Sequence, residues 1–234
     1  GFDGSETMFS ERDIAANPTI LSGDLTGNDG PNFANNVENS IHVVTGSGVA
    51  ATSVLDGFTV QGGRAFSISG GTDHQGAGMT CVTGSPTITR CTFTGNIAFD
   101  FGGGLYTDNG SPVITNCRFV GNIAGDAAGG GYGWGAGLYN YHSASKITNC
   151  SFSNNTATGL GAGLLNFGNG AVVSNCSFTR NTVLGTGNPN STPPGNGGGI
   201  WTTAIFTIRN VILWGNSAPL AGSQFYGTQT TLTA

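Results

Sequence analysis

The stretch ITNCRFVGN, residues 114–122, decides the fold because the chain repeats it at a regular interval. Its aligned copies are ITRCTFTGN from Ile88, ITNCSFSNN from Ile147, VSNCSFTRN from Val173 and IRNVILWGN from Ile208. The cysteines at the fourth position of the first four copies are 26, 33 and 26 residues apart. A period of this length is typical of proteins built from stacked structural repeats.

Two further sequence features recur in register with these copies. A glycine-rich segment precedes each copy, reading GAGM to Met79, GGGL to Leu105, GAGL to Leu138, GAGL to Leu164 and GGGI to Ile200. A degenerate earlier copy, LDGFTVQGG, begins at Leu55 and is predicted to place Gln61 where the other copies have Asn.

The pattern inside each copy predicts a strand, a corner and a second strand. Apolar residues occupy positions 1, 4 and 6; a spacing of two fits one face of a strand, whereas a spacing of three requires a bend. Asn is the non-glycine residue that best tolerates left-handed backbone angles, and it stands at this bend in four copies. These residues are Asn116, Asn149, Asn175 and Asn210.

No 3.6-residue periodicity is present, so the sequence predicts an all-β fold, a parallel β-helix whose coils stack about 4.8 Å apart. One coil cannot bury its apolar residues alone, but stacked coils create a common interior. We expect one buried column of Ile88, Ile114, Ile147 and Val173, and a second of Phe93, Phe119, Phe152 and Phe178.

The copies end on Asn, and stacking predicts that these side chains form a ladder in which each amide donates to the next coil. The ladder residues are Asn96, Asn122, Asn155, Asn181 and Asn216. The alternative is that they are only turn residues, and both interpretations require the same fold.

The cysteines in the repeat frame are predicted to be small buried side chains without disulfide bonds. They are Cys91, Cys117, Cys150 and Cys176, and the fifth copy has Val211 at their position. Side chains stacked in register do not readily reach the torsion angle of a disulfide. Cys81 lies outside this frame, and the sequence indicates no partner for it.

The composition excludes some classes of partner. Gly accounts for 42 of 234 residues, charged residues for only 8%, and the net charge is −5 with the basic residues scattered, so nucleic acid is not an expected partner. No apolar run approaches the roughly 20 residues that span a bilayer, and we expect no membrane insertion of this segment. Near absence of lysine favours a secreted or cell-surface location.

The motifs resemble those of a known group of proteins. FTGN, FVGN, FSNN and FTRN, beside GAGM, GGGL and GGGI, are similar to the FxxN and GGA[ILV] repeats of chlamydial polymorphic outer membrane proteins. They also resemble right-handed parallel β-helix repeat proteins of the pectate-lyase-like superfamily. The resemblance implies a single-stranded right-handed parallel β-helix, a solenoid, on an exported protein. It implies no particular chemistry, because this superfamily contains lyases, hydrolases, adhesins and inert stalks.

The repeat frame also sets the expected organisation of the chain. Residues 1–234 are predicted to form one β-helix domain that is part of a longer polypeptide. Within it, residues 1–54 form early irregular coils, 55–217 the regular repeats and 218–234 a terminal coil.

Two sets of acidic residues are candidate metal ligands, with calcium as the ion. Asp100 and Asp126 each follow a ladder Asn by four residues, so they are expected in one row of loops. Asp24, Asn28 and Asp29 lie in GDLTGNDG, whose spacing does not match the EF-hand loop. The alternative for both sets is solvated loop residues, and no cofactor is required by the fold.

Aromatic residues cluster around the glycine-rich segments, at Tyr132, Trp134, Tyr139 and Tyr141. Aromatic side chains on the flank of a β-helix suit stacking on sugar rings and contacts with proteins equally well. The alternative is that they only cover the loops to which they belong. We predict a contact surface here for a glycan or a partner protein.

Two classes of function remain open at this point. The favoured one is a non-enzymatic extracellular or cell-surface module for structure or adhesion. Because exposed coil edges template strand addition, its ends are expected to dock on copies of the chain, which would build filaments, or on further coils of the same polypeptide. The alternative is a polysaccharide lyase or glycoside hydrolase acting on acidic or plant-type polysaccharide. That alternative needs converging carboxylates and a base, and the sequence contains no motif that assembles them.

Overall fold

The chain winds into a right-handed solenoid of stacked coils, each of which contributes one short strand to each of several parallel sheets. The computed structural model describes residues 1, 4–8, 11–66, 73–126, 130–168, 170–187, 195–227 and 231–232. In this part of the chain the strands are numbered β1 to β26 in chain order, and a 3₁₀ turn lies at Pro31–Phe33. No helix in the described residues is long and apolar enough to cross a bilayer.

Three of the four sheets have seven strands and continue along most of the rod, and sheets A and B are two of them. Sheet A runs in the order β1 (Thr19–Ser22), β4 (Phe58–Gln61), β8 (Thr92–Thr94), β12 (Arg118–Val120), β16 (Ser151–Ser153), β20 (Ser177–Thr179) and β24 (Ile212–Trp214). Sheet B runs β2 (Val44–Thr45), β6 (Met79–Val82), β10 (Leu105–Asp108), β14 (Leu138–Tyr141), β18 (Leu164–Phe167), β22 (Ile200–Thr202) and β25 (Phe225–Gly227).

The remaining two sheets complete the walls of the solenoid. Sheet C runs β3 (Val54–Asp56), β7 (Thr87–Thr89), β11 (Val113–Thr115), β15 (Lys146–Thr148), β19 (Ala171–Ser174), β23 (Phe206–Arg209) and β26 (Thr231–Leu232). Sheet D runs β5 (Arg64–Ala65), β9 (Ile97–Ala98), β13 (Ile123–Ala124), β17 (Thr156–Ala157) and β21 (Thr182–Val183). Neighbouring strands are parallel in all four sheets, and the chain visits them in the order C, A, D, B.

The two predicted apolar columns are confirmed. Ile114 pairs in register with Ile88 and Ile147, and Phe119 pairs with Phe93 and Phe152. Both columns are fully buried, and the phenyl rings stack with centroids 4.5 to 5.0 Å apart. The repeat frame assigned from the sequence is therefore correct, since a shift of one residue would have turned every one of these side chains outward.

The corner between sheets C and A has the left-handed backbone expected at its Asn residues. The φ angles are 53° at Arg90, 56° at Asn116, 54° at Asn149, 53° at Asn175 and 49° at Asn210. The spacing of three between apolar positions is thus produced by one left-handed residue per coil, which reorients the chain from one sheet to the next.

Inside the corner between sheets A and D, the five Asn side chains are stacked and hydrogen-bonded. Asn96, for example, donates through Nδ2 to Oδ1 of Asn122 at 3.0 Å and to the carbonyl of Val60 at 3.0 Å. The same arrangement joins Asn122 to Asn155, and then continues through Asn181 to Asn216. Each amide oxygen also accepts the backbone N–H of the residue one coil back, so the buried amide groups are fully hydrogen-bonded.

The assignment of Gln61 to the ladder is wrong. Gln61 pairs with Thr94 in sheet A, and Gly63 occupies the ladder position, where its backbone N–H donates to Oδ1 of Asn96 at 3.0 Å. The segment from Leu55 aligns with the other copies without a gap, so that its ninth residue is Gly63. The side-chain ladder of the regular coils therefore begins at Asn96.

All five cysteines are buried, and each is a free thiol. In the stacked row, Cys117 donates through Sγ to the carbonyl of Thr115 at 3.3 Å, and its backbone N–H donates to Sγ of Cys150 at 3.4 Å. Cys81 lies in sheet B instead and donates to the carbonyl of Gly46 at 3.3 Å. Burial raises the pKa of its thiol to about 11.

A second polar ladder, which the sequence analysis did not identify, lies on the inner face of sheet B. Thr107 donates to Oδ1 of Asn140 at 2.8 Å, Asn140 to Oδ1 of Asn166 at 2.7 Å, and Asn166 to Oγ1 of Thr202 at 3.2 Å. All four side chains are fully buried. Two ladders of polar groups therefore cross the interior, and both align neighbouring coils.

Candidate functional site

A groove lined by aromatic side chains runs along the outside of sheet B. It has a volume of about 520 Å³, and we call it the aromatic groove. Its lining residues are Gln75, Phe101, Tyr106, Tyr132, Trp134, Tyr139, Tyr141 and Phe167. The four contact residues predicted from the sequence are all among them.

One wall of the groove is sheet B itself. Strand alternation directs Leu105 and Leu138 into the core, and the residues that follow them, Tyr106 and Tyr139, to the outer face. Tyr141 lies two residues beyond Tyr139 in β14 and projects from the same face. The wall is therefore aromatic because the outward positions of neighbouring strands are aromatic.

The other wall is formed by the loop row that precedes sheet B. Gln75, Phe101 and Trp134 are in register in this row, with a single parallel bridge between each neighbouring pair. Phe101 reaches across the groove to stack on Tyr139, with ring centroids 5.0 Å apart. The two walls thus hold each other in place, which produces a rigid surface.

The aromatic rings form a continuous series along the rod axis and across the strands. Centroid separations are 5.6 Å between Tyr106 and Tyr139, 5.8 Å between Tyr139 and Tyr141, and 5.5 Å between Tyr141 and Phe167. Tyr132, 38% exposed, stacks on Phe101 at 5.4 Å. Tyr106 and Tyr139 are nearly buried within this series, and the rings with the most exposed surface are those of Tyr132 and Phe167, with Tyr141 half-buried between them.

The glycine-rich segments are required by the way this loop row turns into sheet B. Gly102 has a φ of 64°, and a Cβ there would lie 2.6 Å from the carbonyl oxygen of Leu105. A Cβ on Gly104 would lie 2.6 Å from the carbonyl oxygen of Gly137 in the next coil. The first glycine thus permits the turn, and the third permits the close approach of neighbouring coils.

The groove carries no positive charge, because none of its lining residues is Lys or Arg. Asp108, in register with Tyr141, lies at its edge, and burial raises the pKa of its carboxyl group. Burial also raises the pKa of the Tyr106 and Tyr139 phenols well above the ordinary value. These hydroxyl groups are consequently neutral hydrogen-bonding groups at physiological pH.

Two polar atoms of the lining residues are buried and have no hydrogen-bond partner in the described part of the chain. They are Nε1 of Trp134, a donor, and Oε1 of Gln75, an acceptor. A buried polar group without a partner costs free energy, and such groups are commonly satisfied by a ligand or by water.

A histidine–aspartate pair lies next to the groove. Nδ1 of His74 is 2.9 Å from Oδ2 of Asp100, whose other oxygen accepts the backbone N–H of Tyr132 at 2.9 Å. Nε2 of His74 is buried and has no hydrogen-bond partner in the described region. Asp100 is thus paired within the protein, and neither it nor Asp126 belongs to a group of three possible metal ligands in the described residues.

The other predicted metal site is partly assembled by the loop between β1 and β2. Among the described residues, one group of three acidic side chains could hold a metal ion, and it consists of Asp24, Asp29 and Glu38. One carboxylate oxygen of each lies within 4.8 Å of the others. Asn28, which the sequence analysis included, contributes instead its backbone N–H to Oδ1 of Asp24 at 3.2 Å.

The comparisons with known proteins bear on the fold. A family model described as the right-handed beta helix region matches residues 30–213 of the chain. No curated protein and no solved structure matches the chain.

Proposed function

The chain belongs to the right-handed β-helix family, and we propose that it is a non-enzymatic, extracellular or cell-surface module that binds a glycan in the aromatic groove. The observation that carries this proposal is the series of stacked aromatic rings on the outer face of sheet B. Rigid aromatic faces lose little conformational entropy on binding and pack well against the apolar faces of sugar rings.

The polar groups of the groove match the chemistry of sugars. Nε1 of Trp134 and Oε1 of Gln75 lack a partner in the described residues, and because both atoms are buried a sugar hydroxyl group would bond to them only after a local side-chain movement exposes them. The neutral phenols of Tyr106 and Tyr139 add further donors and acceptors.

The charges of the groove favour a neutral glycan over a polyuronate. Binding an acidic polysaccharide requires cations to neutralise its carboxylates, and no Lys or Arg lines the groove. Asp100 and Asp108 lie nearby and would repel a negatively charged chain. The preferred ligand is therefore an uncharged polysaccharide or oligosaccharide.

The location of the protein is a further part of the proposal. The similarity of FTGN, FVGN and the glycine-rich segments to the motifs of chlamydial outer membrane proteins supports a surface role. All five free thiols are buried, which protects them from oxidation outside the cell, so they are compatible with export.

A second candidate function, cleavage of a polysaccharide, is favoured by the His74–Asp100 pair beside the groove. A carboxylate that orients an imidazole is a frequent arrangement for a general base. The other ring nitrogen of His74, Nε2, is buried. The residues that line the groove include no carboxylate that could act as the general acid. Binding without cleavage is therefore the favoured function.

Association of copies along the rod axis completes the proposal. All 12 acidic residues lie within residues 1–126, which carry a formal charge of −8, whereas residues 127–234 contain three basic residues and no acid, a charge of +3. Because coil order follows chain order, opposite charges lie towards opposite ends of the rod. Head-to-tail contact brings these together, as a filament requires.

Calorimetric titration with neutral and with uronic-acid oligosaccharides tests the glycan proposal. Binding of a neutral oligosaccharide that is lost when Trp134 is replaced by alanine supports it. Binding confined to uronates, or release of reducing or unsaturated ends during incubation, would exclude it in favour of the second candidate.

A further inference from the structure

The acidic loop between β1 and β2 contains a concentrated negative charge. The carboxylates of Asp24, Asp29 and Glu38 converge within 4.8 Å. Of the two basic residues in residues 1–64, Arg12 pairs with Asp56 at 2.5 Å, and the guanidinium group of Arg64 lies over the ring of Phe66 at 4.4 Å. Within the described residues, none of the three converging acids takes part in a salt bridge.

The loop backbone holds the carboxylate of Asp24 in place and favours its ionised form. Oδ1 of Asp24 accepts N–H groups from Gly27 at 2.7 Å and Asn28 at 3.2 Å, and Oδ2 accepts the N–H of Asp29 at 3.2 Å. Desolvation is the largest single influence and raises the pKa of Asp24, but the backbone N–H groups together outweigh it and hold this pKa below its ordinary value. On the opposite side of the loop, Thr26 donates to Oε1 of Glu38 at 2.8 Å.

Asn39 supplies an independent observation, because it is a buried side chain that reaches the cluster and is only partly satisfied. It is 8% exposed, and its Nδ2 donates to Oδ2 of Asp29 and to the carbonyl of Gly62, both at 2.7 Å. Its Oδ1 is buried and has no hydrogen-bond partner in the described part of the chain. A bound cation would provide the partner that this oxygen lacks.

We propose that Asp24, Asp29, Glu38 and the side-chain carbonyl of Asn39 form a binding site for Ca²⁺. Calcium prefers carboxylate and amide oxygens and tolerates irregular geometry, whereas Mg²⁺ demands a near-ideal octahedron. A surface loop with four oxygen-bearing side chains and room for water fits the coordination that calcium prefers. This site is remote from the aromatic groove in sequence and does not depend on the glycan proposal.

Calcium at this position would fasten the loop to the body of the solenoid. Asn39 joins Asp29 to Gly62, and the N–H of Gly23 donates to the carbonyl of Gln61 at 2.8 Å. Because Gly62 follows β4, an ion that neutralises Asp29 and engages Asn39 links the loop to sheet A. Bound calcium would therefore stabilise the coils nearest residue 1.

Calorimetric titration of the chelator-treated, full chain with CaCl₂ tests the proposal. We expect saturable binding with a dissociation constant at or below about 10⁻³ M, the range of extracellular calcium modules, and a higher melting temperature in calcium. Asp29→Asn and Glu38→Gln should each weaken binding by about tenfold or more, since each removes a charged ligand. Asp73→Asn, which makes the same charge change outside the cluster, should bind calcium like the unmodified chain.

Asp29 is exposed, so its variant is expected to fold, and circular dichroism checks this before titration. The proposal is wrong if the unmodified chain binds no Ca²⁺ at about 10 mM, well above the range of such modules. It is also wrong if Asp29→Asn binds Ca²⁺ as tightly as Asp73→Asn.

Discussion

Asn122 and Asn155, which are 33 residues apart in sequence, meet inside the solenoid, where Nδ2 of the first donates to Oδ1 of the second at 3.1 Å. The backbone N–H of Asn122 donates to the same oxygen at 3.0 Å. Each ladder amide thus binds both the side chain and the backbone of its neighbour. Such bonds fix the register of one coil on the next, and this register positions the aromatic residues of the groove.

Replacement of Asn155 by alanine should lower the free energy of unfolding by at least about 3 kcal/mol, because it removes four hydrogen bonds and leaves buried groups unpaired. Chemical denaturation monitored by circular dichroism measures the loss. The neighbouring Asn154→Gly is the control: Asn154 is exposed and left-handed, so we expect a change within about 1 kcal/mol. Equal effects at the two positions would contradict a structural role for the ladder.

The ladder could be predicted from the sequence because its residues are identical and share one frame. The second ladder could not, since Thr107, Asn140, Asn166 and Thr202 differ in type, and Cys81 occupies the corresponding position in the coil before. Their relation depends on which face of sheet B each strand turns inward. Alternation from Leu105 and Leu138 does direct this row inward, but polar residues of mixed type do not indicate that their side chains bond to one another from coil to coil.

Contacts between loops were the least predictable part of the site. Glu38 follows Asp29 by nine residues in a segment without a repeat, so no spacing indicated that it joins the cluster. His74 adjoins Asp73 in sequence, yet it pairs with Asp100 one coil away. Stacking of coils brings such residues together, and stacking can be predicted only where the repeat frame is continuous.

The buried thiol of Cys81 should make stability depend on pH in the alkaline range. Burial raises its pKa from the ordinary 9.0 to about 11, so the folded chain holds the proton more tightly than the unfolded chain. The stabilisation is fully present below pH 9 and is lost as pH rises towards 11. Cys81→Thr, which adopts the residue found at Thr107, should lose less stability over this range. Parallel pH profiles for the two proteins, measured by denaturant titration, would contradict this assignment.

Single substitutions in the aromatic groove should weaken glycan binding without unfolding the chain. Trp134→Ala and Tyr141→Ala each remove a ring from the groove, and we expect the dissociation constant for a neutral oligosaccharide to rise about tenfold or more. Trp214→Ala is the matched control, because Trp214 is 75% exposed and lies on sheet A, outside the groove. A panel of cello-, xylo- and manno-oligosaccharides, with oligouronates for comparison, is titrated by calorimetry. If Trp214→Ala weakens binding as much as Trp134→Ala, the groove is not the binding site.

Head-to-tail association should depend on salt, because the charges that favour it lie towards opposite ends of the rod. Sedimentation velocity at low ionic strength should show the average mass rising with protein concentration, and about 0.5 M NaCl should reverse this by screening the charges. Salt strengthens apolar contacts, whereas it weakens attraction between charges. A fall in average mass on adding salt therefore indicates electrostatic association, and a rise indicates apolar association.

A substitution that reverses one charge at the basic end tests the same idea within the chain. Arg209 is exposed in β23, in the half of the chain that has no acidic residue, and Arg209→Glu should reduce association at low salt. Arg118→Glu makes the same charge change at an exposed position of β12, in the acidic half and away from that end, and should leave association nearly unchanged. Both variants lower the net charge equally, so general repulsion between copies predicts that they reduce association equally. Contact through the basic end predicts instead that only Arg209→Glu reduces association. A chain that stays monomeric at every salt and protein concentration would exclude end-to-end assembly.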